Sequence, residues 1–297
     1  MFQTMVFALT LVCQQSAPAS PAAVPAEYQA VLDYLNRTGD FASGVFRVNV
    51  PRTDLQVTVA GVATPTPFGF GGWLAMSKGQ DDMHVMMGDL VLLQNEVSPV
   101  MSALLDNGLE VSALHNHFFW DEPRIAYLHV HGHGNPMALA RSVKPALDLI
   151  GKGSAGRPAR ATTPPAAPRL DTGRIAEIAG VVGSQSGAVY KITVGRPDLN
   201  IVEMGVPITS RMGLNSWASF VGSDARAAIA GDVAMLGPEV TPVLKALRAN
   251  GLDVVAIHHH MTSTQPTIYF LHFWGVGPAA QLAAGFRAAL DALGRAR

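Results

Sequence analysis

The sequence predicts an α+β protein of two homologous repeats, each an antiparallel or mixed sheet with two helices on one face, related by pseudo-two-fold symmetry. Three observations lead there. EVSPVMSALLDNGLEVSALHNH (96–117) lies over EVTPVLKALRANGLDVVAIHHH (239–260) at a constant offset of 143. RIAYLHVHGHG (124–134) lies over TIYFLHFWGVG (267–277) at the same offset, making 19 of 39 positions identical between 96–134 and 239–277. Within each copy the pattern runs strands, helix, strand, strand, helix, which layers helices against a sheet. The match extends upstream. Gly88-Asp89 lies over Gly231-Asp232, and GVFRVNVPRTDL (44–55) aligns with GAVYKITVGRPDL (187–199) after one inserted residue. A unit this long is a duplicated domain, since solenoid repeats are far shorter.

Residues 1–26 read as a signal peptide and spacer. The apolar run 5–12 is too short to cross a bilayer as a helix, and Ala17-Pro18-Ala19 offers an A-x-A cleavage site. Cys13, the only cysteine, stands where the acylated cysteine of a lipoprotein would, so the membrane is expected as a partner only through such an anchor. Cleavage beyond Cys13 leaves no thiol, and disulfides are then excluded. The expected location is exported, periplasmic or associated with the cell envelope.

Repeat one is placed at 27–150. Residues 45–50 and 55–62 alternate apolar and polar as strands do, and 73–76 and 83–93 read as further strands. A helix follows over 96–107, with Asn95 as N-cap, Pro99 in the first turn and Gly108 as its stop. Val97, Val100, Met101, Leu104 and Leu105 share one face of it. Strands 109–117 and 125–131 flank a loop at 118–124, and a last helix, 136–150, is capped by Asn135. Gly88-Asp89 and its counterpart read as turn or cap positions. The stretch 151–170, rich in Pro, Gly and Ala, is a linker, and repeat two is placed at 171–297.

With 48% hydrophobic residues the chain can fill one large core or two ordinary ones. A net charge of -1 supplies no field for phosphate backbones, which excludes nucleic acid and leaves a small-molecule ligand or substrate as the expected partner. His115-Asn116-His117 spells the name of a nuclease motif, but that motif's residues are dispersed over a ββα unit.

Nine of ten histidines fall in two windows: His115, His117, His129, His131 and His133, then His258, His259, His260 and His272. A lone histidine in a sheet ordinarily bonds a backbone carbonyl, which is the expectation for His84. Clustering points elsewhere. Residues i and i+2 of a strand share a face, so His115 projects with His117, His129 with His131, and His258 with His260. Paired imidazoles on a sheet face suit a divalent metal, zinc first, with copper, iron and manganese as alternatives. His115, His117 and His129 have counterparts in His258, His260 and His272; with His131 these are the candidate ligands. Asp121 and Glu122, in the loop between the strands, are candidate fourth ligands or general bases, and copy two has Thr264 and Gln265 there. Phe118, Phe119 and Trp120 are expected as a wall or lip.

One distance opposes a site within one repeat. If 109–117 and 125–131 form a plain hairpin, His117 and His129 stand about 15 Å or more apart at the usual rise per residue. A bulged or longer loop, non-adjacent strands, or a site shared between the copies would reconcile them.

GDLVLLQNEVSPVMSALLDNGLEVSALHNH with EPRIAYLHVHGHG, and the counterparts through LHFWGVG, resemble the LppY/LpqO-like family, a bacterial domain of unknown function named after mycobacterial lipoproteins. The resemblance spans both repeats. It implies export or surface anchoring and supplies no reaction. The expectation is an exported protein with a histidine-rich metal site, either a metal-dependent hydrolase or a non-catalytic envelope protein that binds a metal or small ligand between its repeats.

Overall fold

A computed structural model of the protein describes residues 23–79, 82–152 and 170–294. The expected signal segment with Cys13, and most of the linker, lie outside the described residues. Repeat one opens with α1 (Ala26–Leu35), β1 (Gly39–Ala42), β2 (Val45–Pro51) and the short β3 (Val57–Val59) and β4 (Val62–Thr64). It continues through β5 (Gly71–Lys78), β6 (His84–Leu93), α2 (Val97–Asp106), β7 (Glu110–His115), β8 (Asp121–Glu122), β9 (Ile125–Gly134) and α3 (Pro136–Leu147). Repeat two follows the same plan: α4 (Thr172–Ala179), β10 (Ser184–Ser186), β11 (Val189–Gly195), β12 (Val202–Glu203), β13 (Val206–Pro207) and β14 (Asn215–Gly222). It ends with β15 (Ala227–Leu236), α5 (Gly237–Ala249), β16 (Asp253–His258), β17 (Ile268–Gly277) and α6 (Ala279–Asp291).

The main sheets have matching orders, β1-β2-β5-β6-β9-β7 and β10-β11-β14-β15-β17-β16. Every pairing in both is antiparallel. The fold is α+β with two tandem copies, as expected. Three details differ. Each repeat carries a third helix, α1 or α4; Tyr28, Val31, Leu32 and Leu35 bury one face of α1 at helical spacing. The strand expected over 55–62 breaks into the β3–β4 hairpin because Ala60 and Gly61 both take positive φ, 48° and 76°. The N-cap of α2 is Glu96, with no side-chain cap bond, because its carboxylate is engaged elsewhere.

The strand period of two sets the layers. On β9, Leu128 and Val130 face the core built with α1, α2 and α3, and on β17, Leu271 and Phe273 face the core built with α4, α5 and α6. The alternate residues face the other way, into two apolar clusters that each mix both repeats. One joins Phe68, Phe118 and Tyr127 to Ala230 and Trp274; the other joins Ala75, Met87 and Val45 to Met212, Ala234 and Phe270. The sheets therefore lie face to face with helices outside. Strands β6 and β15, buried on both faces, accordingly read as almost continuous apolar runs.

A buried ion pair closes each repeat. Arg52 Nη1 donates to Glu96 Oε2 at 2.6 Å and to the Val91 carbonyl at 2.8 Å, and Glu96 accepts from the amides of Leu93 and Gly151, each at 2.8 Å. Arg196 Nη1 repeats this with Glu239 (2.9 Å) and Ala234 (2.7 Å), while Glu239 accepts from Leu236 (2.7 Å) and Gly294 (2.6 Å). No described helix is long and apolar enough to cross a membrane.

Candidate metal centre

The last two strands at one edge of each sheet, β9 and β7 in repeat one and β17 and β16 in repeat two, deliver the histidines to the interface between the sheets. β7 pairs with β9 so that Ala113 faces His129 and His115 faces Tyr127, with a bulge between Val111 and Ala113. β16 and β17 repeat this with Ala256 and His272, His258 and Phe270, and a bulge between Val254 and Ala256. His115 and His258 end their strands, and His117 and His260 lie two residues beyond. The rings of His115 and His258 stack across the interface at 3.7 Å between centroids. His117 lies 3.6 Å from His272, and His129 lies 4.1 Å from His260. The shortest contacts between imidazoles thus join one copy to the other. The hairpin keeps His117 and His129 from pairing with each other, and sharing across the pseudo-two-fold assembles six imidazoles.

Their nitrogens are arranged unequally. His272 Nδ1 donates to the Gly231 carbonyl at 3.2 Å and His258 Nδ1 to the His259 carbonyl at 3.2 Å, while the Gly88 carbonyl serves His129. A carbonyl only accepts, so in the neutral rings Nε2 carries the lone pair. Metal-binding histidines are ordinarily oriented by such a bond on the other nitrogen. His115 Nε2 meets His272 Nε2 at 3.2 Å. Nδ1 of His115, both nitrogens of His117, Nε2 of His129 and His258 and Nδ1 of His260 are buried without a hydrogen-bond partner among the described residues. Each such orphan costs on the order of 1–3 kcal/mol, a cost that a bound ion would remove.

Burial pushes the pKa of all six down, with neighbouring imidazoles adding repulsion at most of them; His258 is lowered to about 4. The rings are neutral at ordinary pH, the form that binds metal. Three groupings bring their ligand atoms within 4.8 Å of one another: His115, His129 and His258; His115, His117 and His272; and Asp232, His258 and His260. The second and third share no residue.

Other expected site residues lie elsewhere. His131 points into the interface but meets Glu203 of repeat two, its Nε2 3.3 Å from Oε1 without the alignment of a hydrogen bond. His133 is exposed. Asp121 and Glu122 form β8, which pairs with β3; the Asp121 carboxylate accepts from the Ile125 amide at 2.6 Å and meets Arg124 at 3.4 Å. Neither joins the metal-capable groupings. His84 donates Nδ1–H to the Asp82 carbonyl at 3.2 Å, as expected for a structural histidine, and bonds the Tyr28 hydroxyl at 2.9 Å. Phe118 is buried against Phe68, Phe70 and Trp274, and Phe119 and Trp120 are exposed.

Asp89 and Asp232, expected at turns, stand in mid-strand on the inner face. Cross-strand register places Trp73 opposite Asp89 and Asp89 opposite His129, and likewise Trp217 opposite Asp232 and Asp232 opposite His272. Arg47 lies over the Trp73 ring at 4.3 Å and Lys191 over Trp217 at 4.2 Å. Each repeat thus presents a row of cation, tryptophan, aspartate and histidine. The rows line a cleft of ≈ 330 Å³ that reaches His117, His260 and His272. Burial raises the Asp89 carboxyl to about 8 against the pull of Arg47 and Lys191, and raises Asp232 against the bond from the Leu271 amide. Both rows recur at offsets of 143–144, the signal that would have found them.

A family model described as Domain of Unknown Function (DUF1259) matches residues 29–149 and again 173–292. No curated protein matches the chain. Two solved structures align weakly. A fused permuted hexameric shell protein from the RMM microcompartment is 16% identical over 74% of this chain and 94% of that one, with a TM-score of 0.18. A trimeric bacterial microcompartment shell protein, PduB, is 13% identical over 83% and 87%, also at 0.18. At these scores neither likeness carries an argument.

Proposed function

We propose, for a chain that belongs to the Domain of Unknown Function (DUF1259) family and takes no activity from it, that its repeats jointly hold a divalent metal, zinc first, in a hydrolytic site. The carrying observation is the convergence of six buried imidazoles from matched positions, five of them with ring nitrogens left unpartnered. His115, His117 and His272 would hold one ion. His258 and His260 with Asp232 would hold a second, and His129 completes the shell. A divalent ion held there would supply a water whose pKa is lowered to about 7, a nucleophile source that needs no strong base. The cleft onto His117, His260 and His272 supports access for a small substrate, and Asp89 and Asp232 replace Asp121 and Glu122 as the carboxylates nearest the chemistry. The apolar run 5–12 and the LppY/LpqO resemblance support an exported, envelope-associated protein.

A non-catalytic metal binder is the second reading, favoured by the seclusion of the rings, none more than 9% exposed. Elemental analysis of protein purified without a histidine tag tests the site. We expect one to two equivalents of metal, lost in the His115→Ala, His258→Ala double variant. Metal-free protein that takes up no zinc, copper, iron or manganese would refute the site. Full loading without turnover on ester, phosphate, peptide and glycoside panels would leave the binder.

A further inference from the structure

The cleft above the imidazoles holds two cations that the metal reading does not use. Arg47 and Lys191 occupy matched positions on β2 and β11, each above its own tryptophan, and both line the cleft. Neither has a carboxylate within ion-pair distance among the described residues, whereas Arg211 beside them is paired with Asp40. Arg47 spends one Nη1 donor on the Arg211 carbonyl at 3.0 Å. Lys191 makes no hydrogen bond to a described residue.

We infer that this cleft binds a small organic dianion, such as a dicarboxylate or a phosphate monoester, with Arg47 of repeat one and Lys191 of repeat two each holding an anionic oxygen. Two cations contributed separately by the two sheets, in a cleft of ≈ 330 Å³, favour one bridging molecule over two independent ions. An indole face beneath each charge holds it in place and leaves its outer side for the ligand. Burial first, and then the neighbouring cations, lower Lys191 to about 8 and Arg47 to about 10 despite the pull of Asp89 on both, of Asp232 on Lys191 and of Asp40 on Arg47, so the cations are only partly compensated and an anion would supply the remainder. Thr66 and Ser210, another matched pair, line the same cleft, and hydroxyls of this kind can donate to a ligand's oxygens. A molecule bridged in this way would lie beside His117, His260 and His272, which line the same cleft, so the inference rests on the proposed site and names its substrate class. Binding itself requires no metal.

The test uses the full chain after chelator treatment, titrated calorimetrically with succinate and, separately, inorganic phosphate, with tryptophan emission followed in parallel. We expect saturable binding with a change in emission. Affinity should fall by about tenfold or more in Arg47→Met and Lys191→Met and be largely retained in Lys191→Arg. No saturation with either probe, unchanged affinity in both methionine variants, or equal loss in Lys191→Arg overturns the inference. Metal content of the same variants separates the two readings. Normal metal with lost anion binding supports the cleft, while normal anion binding in a protein that takes up no metal sinks only the hydrolytic site.

Discussion

Six imidazoles held away from water resist protonation, and that makes the empty centre acid-sensitive. His258 has a folded pKa of about 4 against an unfolded value near 6.5, and the other five are lowered as well. Between those values the unfolded chain binds protons that the folded one refuses, so stability falls as pH drops below about 6.5. His258 alone accounts for about 3 kcal/mol by pH 4. Urea midpoints of metal-free protein should therefore fall from pH 7 to pH 5 with more than one proton taken up per unfolding, and a flat profile would contradict the burial. Asp89 acts oppositely. Its folded value of about 8 exceeds the unfolded 3.8, so it keeps a proton that the unfolded chain loses, and stability declines as pH rises through that window. Asp89→Asn should stabilise the protein by on the order of 4 kcal/mol at pH 7 and by little at pH 4. The three matched histidine pairs were legible because strand spacing and the offset both act on short stretches of chain. Asp89, Trp73 and Arg47 also recur at the offset, but only the register of β2, β5, β6 and β9 brings residues so far apart in sequence into one row.

At the scale of elements, helix faces and strand alternation placed most of the sheet and α2 and α3, while α1 and α4 escaped notice although α1 buries Tyr28, Val31, Leu32 and Leu35 at helical spacing. The hairpin turn at Ala60-Gly61 was masked by apolar residues on either side of it. The Arg52–Glu96 pair was hidden for a different reason. An acidic residue before a helix reads as favourable to its dipole, and nothing local shows that the carboxylate instead serves a buried guanidinium and the amide of Gly151. Glu96 ties the end of its repeat to the start of α2. Glu96→Ala removes one of the two carboxylates on the buried Arg52, whose bidentate bonds to Asp54 remain, and should cost about 1.5–3 kcal/mol in denaturant unfolding. Glu239→Ala should cost a similar amount, since Arg196 is equally enclosed. An effect below 1 kcal/mol for both would mean that water replaces the carboxylates.

Over the whole molecule, the duplication was plain in the sequence but its geometry was not. A linker between copies suggests two beads, whereas the inner sheet faces join in two mixed apolar clusters with the histidines among them. Neither repeat has a finished surface alone. Residues 171–297 expressed alone should aggregate or associate with themselves, and co-expression with 27–150 should restore a soluble heterodimer on size-exclusion chromatography. A monomeric, cooperatively folded single repeat would refute the shared core.

The stack of His115 on His258 lies where the two copies meet face to face. A chain with only one copy could build such a centre only by homodimerisation, with identical halves and therefore no directionality. Fusion into one polypeptide frees each half to drift. Arg47 facing Lys191, and Asp121 answered by Thr264, are departures that a homodimer could not have kept separate. A ligand bridging the sheets would meet a different cation at each end, and so would have one preferred way round.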